Sequence, residues 1–332
     1  MLTVIGEALI DLIVDPDGHV VARPGGGPYN TARTIGRLGL APVFLGRLSQ
    51  DGFGRVLRAR LEADGVIAGV PQPSDVPTTL ATVDIGPGGA AGYEFYLTGT
   101  SSAALDYSSL SNALPGDITA VYTGTLALVM EPIATSIDRL IGSRLPEDAL
   151  VMIDPNCRPQ AITDRQLYLD RLHRILRGTD VVKASVEDLA YLFPGAAADS
   201  AAATLLGMGP GLVLVTDGPR AARAFLPGEE IGVEVPAVQI VDTIGAGDAF
   251  GGAFLAWWSA NELTRSDLAH PGLVRKALQA AVEVAAVTCT RAGAEPPWLL
   301  EVSGRPGWRS APRPSSRGHD HAAAAMTTQP RP

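Results

Sequence analysis

The residues whose types and spacing most clearly point to chemistry stand together in Val241-Asp242-Thr243-Ile244-Gly245-Ala246-Gly247-Asp248-Ala249-Phe250. Gly245, Ala246 and Gly247 carry little or no side chain, so their backbone N–H groups can approach a ligand closely. Phe250, Phe254, Leu255 and Trp258 follow at helical spacing, which predicts a helix over Ala246–Ala260. A helix N-terminus offers free amides and a positive dipole end, both of which attract anions such as phosphate. A carboxylate at that end repels the same anion. Asp248 makes sense there if it accepts the proton of a nucleophile that attacks the phosphate. The plainer alternative is a glycine-rich helix start with an acid in its first turn.

A second chemical stretch lies near the N-terminus, in Arg23-Pro24-Gly25-Gly26-Gly27-Pro28-Tyr29-Asn30-Thr31-Ala32-Arg33. A triple-glycine turn runs into a helix whose apolar residues Ala32, Ile35 and Leu38 repeat at helical spacing. Asn30 falls in its first turn and brings both a donor and an acceptor to face a polyol. In consistent order over about residues 1–302, these two stretches resemble the two signatures of the ribokinase-like sugar kinases, the phosphofructokinase B family.

The elements that must position these residues alternate along the chain. Short apolar strands are predicted at Leu2–Ile5, Val43–Leu45, Ala120–Thr123, Leu150–Asp154, Val181–Lys183 and Leu212–Thr216, and helices at Arg55–Asp64, Ser136–Arg144, Asp164–Arg177, Ser200–Met208 and Gly272–Thr290. Such alternation implies an α/β fold: a mostly parallel sheet with helices on both faces and ligands at the carboxyl ends of its strands. Ala8–Val21 and Thr78–Phe95 break the rhythm with β-like residues between Gly/Pro turns. In the resembled family such segments form a small β lid over the sugar, and the expected lid spans about residues 8–21 and 78–96. From Ser303 onward the chain is rich in Pro, Arg, Ser and Ala, with almost no apolar periodicity. A kinase domain over 1–302 and a disordered tail over 303–332 are therefore expected, and truncation after Val302 should cost little stability. His319-Asp320-His321 reads as part of a solvated tail, and Trp308 is the one aromatic residue in it.

Composition excludes several classes. The chain has 332 residues and a formal net charge of −9, without a basic run in its body, which argues against a nucleic-acid surface. Its Ala-rich stretches are too short or too interrupted to span a bilayer. Two cysteines, Cys157 and Cys289, and the lack of a secretory leader lead us to expect a cytoplasmic protein. Neither of the two lysines, Lys183 and Lys276, stands in a GxxxxGK[ST] loop. Gly86-Pro87-Gly88-Gly89-Ala90-Ala91 imitates a dinucleotide fingerprint but precedes strand-like Tyr93–Tyr96 rather than a helix.

The resemblance implies further roles, position by position. Asp248 would be the catalytic base, with the amides around Gly245, Ala246 and Gly247 as the anion hole. Asp11, Gly25, Gly26 and Asn30 match the family's sugar contacts. Thr216-Asp217-Gly218 looks like the nucleotide-proximal turn, and Thr288-Cys289-Thr290-Arg291-Ala292-Gly293-Ala294 is similar to the adenine-side and cation-side segment. Asp242 and the Ile244 carbonyl match a monovalent-cation loop that would suit K⁺. The family's Asn-x-x-Glu motif for Mg²⁺ and phosphate is replaced by Ser185-Val186-Glu187-Asp188, in which Asp188, or Glu187 if the register slips, supplies the acid. A helix cap at Ser185 is the alternative for this stretch. Asp154-Pro155-Asn156-Cys157-Arg158-Pro159 resembles a segment of fructokinases and 2-keto-3-deoxygluconate kinases, where Arg158 would neutralise phosphate or clamp a sugar carboxylate. The resemblance thus implies ATP-dependent phosphorylation of a free sugar, with fructose ahead of 2-keto-3-deoxygluconate and ribose. A sugar-sensing pseudokinase is the competing class, and a homodimer through the lid is a further implication.

Overall fold

Hydrophobic runs and alternating segments sort into two sheets. The computed structural model describes residues 1–85, 91–143 and 145–308. Its strands are β1 (Leu2–Ile5), β2 (Leu9–Val14), β3 (Val20–Gly25), β4 (Val43–Leu45), β5 (Ile67–Ala68), β6 (Thr79–Ile85), β7 (Ala91–Tyr96), β8 (Ala120–Gly124), β9 (Leu150–Asp154), β10 (Val181–Ser185), β11 (Leu212–Thr216), β12 (Ala222–Leu226) and β13 (Glu229–Val233). The large sheet runs in the order β13-β12-β11-β10-β9-β8-β1-β4-β5, and the small one β3-β2-β6-β7. From β11 to β5 all pairs are parallel; β12 and β13 add an antiparallel ribbon at one edge.

The central strands are apolar on both faces because helices cover both. Leu2 and Val4, Ala120 and Tyr122, and Leu212 and Leu214 face a core shared with the helices Gly27–Arg37, Gly52–Ala63, Ala246–Ala260 and Pro271–Thr288. Alternate residues such as Ile5, Val121, Val213 and Val215 face a second core with the helices Ile133–Ile141, Arg165–Leu176 and Ala198–Leu206. The helix Ala246–Ala260 is buried from Asp248 to Trp258 and lies between its two helical neighbours. Its polar end must therefore emerge at the sheet's ligand-binding edge.

The small sheet is the expected lid. Its side chains alternate in direction along each strand: Leu9, Asp11 and Ile13 on β2, Val83 on β6, and Tyr93 and Phe95 on β7 face one cleft. The rings of Tyr93 and Phe95 stack with centroids 6.1 Å apart. Arg23-Pro24-Gly25 continues β3 rather than forming a turn, so the sharp turn falls at Gly26 alone.

The domain boundary at Val302 requires correction. A short 3₁₀ turn follows at Pro306–Trp308, and Trp308 is only 3% exposed. Its indole Nε1 donates to the carbonyl of Ala280 at 3.2 Å, and Arg305 pairs with Glu283 at 3.0 Å. The ordered domain therefore reaches at least Trp308, because one large aromatic side chain finds a place on the helix Pro271–Thr288. Residues 309–332, including His319-Asp320-His321, lie outside the described residues, as do residues 86–90 of the fingerprint-like run. Among the described residues no helix is long and apolar enough to cross a membrane.

Candidate active site

Asp248 and Asn30, 218 positions apart in sequence, meet at the mouth of the sheet. The Asn30 side-chain amide donates to Asp248 Oδ2 at 2.9 Å, and the Thr31 hydroxyl donates to the Asp248 backbone carbonyl at 3.3 Å. The glycine-led helix Gly27–Arg37 thus packs its first turn against the first turn of Ala246–Ala260. Asn30 is buried, and its Oδ1 acceptor has no hydrogen-bond partner among the described residues. A buried acceptor of this kind costs free energy until something donates to it, and a sugar hydroxyl is a suitable donor.

Asn30 and Asp248 line a cleft of about 380 Å³ between the lid and the sheet, which also receives Asp11, Gly26, Arg158, Asp242, Ile244, Gly245 and Gly247. Gly25 stands just behind Asp11. A Cβ at Gly25 would come within 2.2 Å of Asp11 Oδ2, so only glycine leaves that carboxylate its place. Gly245 caps the helix at φ 75°, in the left-handed region, and a Cβ there would meet the Ala294 Cβ at 2.4 Å. The amides of Gly245 and Gly247 donate to no atom among the described residues, whereas the Ala246 amide donates to the Thr243 carbonyl at 3.2 Å. The candidate anion hole accordingly centres on Gly245 and Gly247, with Ala246 already engaged.

Electrostatics sets the acids of the cleft apart from ordinary carboxylates. Burial pushes Asp248 above the usual range, partly countered by the Asn30 hydrogen bond and by the charges of Lys183 and Arg158. Asp11 is pushed up to about 6, by burial first and by the Asp248 charge second, with Arg158 pulling it down. Proton acceptance requires the ionised form of Asp248. The acid limb of kcat/KM is therefore expected above the ordinary aspartate pKa of about 4, and it belongs to the Asp11–Asp248 pair jointly. Asn30→Ala removes an interaction that favours the ionised base, so its limb should move to higher pH. A pH–rate profile with an unmoved limb would contradict this coupling.

Lys183 is a functional candidate that local sequence patterns do not reveal as such. It lines the cleft, and its Nζ pairs with Asp154 Oδ2 at 2.8 Å. Burial opposes its charge, but Asp154, Asp188 and Asp248 outweigh that and hold its pKa above the ordinary lysine value. A Cβ at Gly247 would lie 2.9 Å from Nζ, so the ammonium sits directly beneath the helix start. The available signal was register: Val182 pairs with Ile153 across parallel β10 and β9, which places Lys183 beside Asp154 at the strand ends.

The nucleotide-side candidates and Asp188 sit apart from the lining of this cleft, whereas Asp242 and Ile244 belong to it. Ser185 and Thr216 are register partners at the carboxyl ends of β10 and β11, with Asp217 and Gly218 in the turn that follows. Asp217 pairs with Arg220 within that turn. Cys289 ends the helix Pro271–Thr288, and its carbonyl accepts the amides of Val241 and Asp242 at 2.8 and 3.2 Å. Asp188 is engaged mainly by protein donors, which leaves one Oδ1 lone pair for a further ligand. Its Oδ1 accepts the Cys157 amide at 2.6 Å, and its Oδ2 accepts the amide and hydroxyl of Ser185 at 2.8 and 2.9 Å, in a capping box. It works as a buried strut between β10 and the Asp154–Pro159 segment. Glu187 is exposed, close enough to bear on the Arg220 charge. Asp242 fits a hard monovalent cation better. Its two oxygens each accept one amide, from Ile244 at 3.0 Å and Gly293 at 2.8 Å, and each retains a lone pair.

Known proteins extend these observations to most of the chain. The pfkB family carbohydrate kinase model matches residues 1–300. A fructokinase of Rhizobium leguminosarum bv. trifolii is 32% identical over 262 residues, covering 77% of this chain and 79% of that protein. Probable fructokinase-5 of Arabidopsis thaliana is 31% identical over 302 residues, covering 88% and 92%. Fructokinase with bound ATP from Xylella fastidiosa superposes with a TM-score of 0.81 at 27% identity, covering 91% of this chain and 96% of that one. A double-mutant fructokinase from Vibrio cholerae O395, with fructose, ADP and potassium ion bound, gives 0.78 at 27% identity, covering 88% and 93%. With a lidded α/β fold, a buried Asn–Asp pair at a glycine-capped helix start and a family match over nearly the whole described length, this chain belongs to the pfkB family of carbohydrate kinases.

Proposed function

We propose that this kinase transfers the γ-phosphoryl group of ATP to the primary 6-hydroxyl of fructose. The observation that carries the reading is the Asn30–Asp248 hydrogen bond inside a cleft with Asp11 on its lid side and the free amides of Gly245 and Gly247 at its floor. The sugar lies under the lid, with its hydroxyls met by Asp11 and Asn30 and its apolar faces by Tyr93 and Phe95. The reacting hydroxyl donates to Asp248. A carboxylate is far too weak a base to ionise an alcohol beforehand, so the proton moves late, as the O–P bond forms. Charge that develops on the transferred group meets the Gly245 and Gly247 amides, each worth about 3 kcal/mol if an oxyanion-hole donor is a fair guide. Lys183 adds a fixed positive charge beneath them. Arg158, which lowers the pKa of both Asp11 and Asp248, lies on the sugar side.

Asp242 and the Ile244 carbonyl would hold K⁺, which would add positive charge beside the helix start. Mg²⁺ would accompany the polyphosphate.

The test is coupled ADP release over fructose, ribose, 2-keto-3-deoxygluconate, glucose and adenosine. Fructose should give the highest kcat/KM. Preference for 2-keto-3-deoxygluconate would mean that Arg158 clamps its carboxylate. Sugar-dependent thermal shifts without turnover of any sugar would leave a sensor, which has no use for Asp248. Within the same assay, Asp11→Ala and Asn30→Ala should each raise the sugar KM by about tenfold or more, the worth of one or more lost hydrogen bonds. The ATP KM should change far less. Equal increases for both substrates would assign these residues to the fold rather than to the sugar.

A further inference from the structure

Arg33 is among the largest fully buried side chains of the described residues, at 1% exposure, and it stands one helical turn beyond Asn30. A buried guanidinium is tolerated only when its donors are matched. Here Nε donates to Asp64 Oδ2 at 2.6 Å, Nη1 to the Ala294 carbonyl at 3.0 Å, and Nη2 to Glu295 at 3.2 Å. Arg37, a turn further on, repeats the pattern. Its Nε meets Asp64 Oδ1 at 2.8 Å, Nη1 the Pro296 carbonyl at 2.7 Å, and Nη2 Glu295 Oε2 at 2.8 Å. Arg60 approaches Glu295 Oε1 from the neighbouring helix at 2.6 Å. One carboxylate is thus held by three arginines, and two of these also hold the backbone on either side of it.

The opposite side of that short segment touches the reacting turn. Gly293 donates its amide to Asp242 Oδ2 at 2.8 Å. Asp242 Oδ1 in turn accepts the Ile244 amide at 3.0 Å. Ala294 fills the space beside Gly245, where a Cβ would approach its own Cβ to 2.4 Å. The helix Gly27–Arg37 therefore contacts the Gly245–Asp248 region twice: directly, through Asn30 and Thr31, and indirectly, through Arg33, Arg37 and the segment Gly293–Pro296. Burial alone would raise the Glu295 pKa, but the three arginines override it and hold the carboxyl below the usual range, so the grip is ionic at neutral pH.

We propose that Glu295 is a positioning residue for phosphoryl transfer: gripped by Arg33, Arg37 and Arg60, it presses the Gly293–Pro296 segment against Asp242 and Gly245 and so fixes the Gly245–Gly247 amides relative to Asp248. This role rests on the kinase reading for its catalytic consequence but not for its structural one. Glu295 also lines the cleft at 32% side-chain exposure, so direct contact with a substrate is the competing explanation.

Glu295→Gln keeps the shape of the side chain and removes its charge. Misplacement of reacting groups by about 1 Å can cost on the order of 10²-fold in rate, and a partial loosening here is expected to lower kcat by about tenfold. The KM values for fructose and ATP should stay within about twofold, because Asp11 and the β10–β11 strand ends are untouched. On the ligand-free protein, hydrogen exchange followed by mass spectrometry should show faster exchange across residues 241–249 in the variant, with the core of the helix Gly27–Arg37 unchanged. That second readout needs no turnover, so it decides the positioning role even if the wild type phosphorylates none of the sugars tested. Unchanged exchange over 241–249 would overturn the proposal. So would an unchanged kcat in an active enzyme, or a KM that rises as far as kcat falls. If Glu295→Gln fails to fold, Arg60→Gln on the exposed arm of the network carries the same exchange test, with faster exchange over 241–249 supporting the role and unchanged exchange overturning it.

Discussion

Asp248→Asn is expected to lower kcat by about 10²–10⁴-fold, the usual worth of a general base. The substitution is nearly isosteric and preserves an oxygen that can accept from Asn30 at the observed 2.9 Å. It removes the negative charge that takes up the hydroxyl proton. Burial already raises the Asp248 pKa, so the neutral amide relieves rather than worsens the strain of a buried charge, and the melting temperature should not fall. The fructose KM should change little, since Asp11, Asn30 and the lid aromatics are intact. The combination is diagnostic: a large loss in kcat, unimpaired folding and retained sugar binding belong to a base and not to a structural acid. Turnover within a few fold of wild type would remove Asp248 from the mechanism and leave the cleft as a binding site.

The contacts of Asp248 also show why some of this site was legible in sequence and some was not. Gly245, Gly247 and Asp248 are adjacent in the chain, and their chemistry follows from local rules about helix starts. The central strands were equally legible, because burial on both faces leaves unbroken apolar runs such as Leu150–Ile153 and Leu212–Val215. The ribbon of β12 and β13 was not. Its strand Glu229–Val233 is short, polar and largely exposed, so no hydrophobic period marks it. The short helix Val186–Leu192 was marked only by its cap at Ser185, because it has too few turns to establish a 3.6-residue repeat. Ser185-Val186-Glu187-Asp188 shows a different limit. Its spacing satisfies both a metal motif and a capping box, and only three-dimensional partners reveal the capping box. Those partners include the Cys157 amide, 31 residues away. Likewise the Lys183–Asp154 pair and the Glu295 network join residues with no local signature, and they come into view only once register and packing are known.

Truncation after Val302 is expected to lower the melting temperature substantially, contrary to what the composition of the segment beyond it suggests. The cut removes Trp308, and loss of a buried Trp side chain typically costs about 3–5 kcal/mol. It also removes the Gly307 carbonyl, to which the Trp257 indole Nε1 donates at 3.0 Å. That buried donor would then be unpaired, a further penalty of about 1–3 kcal/mol. Even without strict additivity, a shift of about 2–4 °C per kcal/mol for a domain somewhat smaller than this one implies a loss on the order of 10 °C. Trp257 lies near the end of the same helix that begins beside Asp248, so loosening there affects the element that carries the base. At temperatures well below the transition, kcat should nevertheless survive, because the contacts of Asp248 with Asn30 and Thr31 lie at the other end of the helix. Thermal unfolding of three chains decides the matter: full length, ending at Val302, and ending at Trp308. Recovery of full-length stability on restoring residues 303–308, and its loss again in Trp308→Ala, would locate the edge of the folded domain at the indole. A chain ending at Val302 that melts with the full-length protein would mean that Trp308 is not docked in solution, and the boundary read from composition would stand.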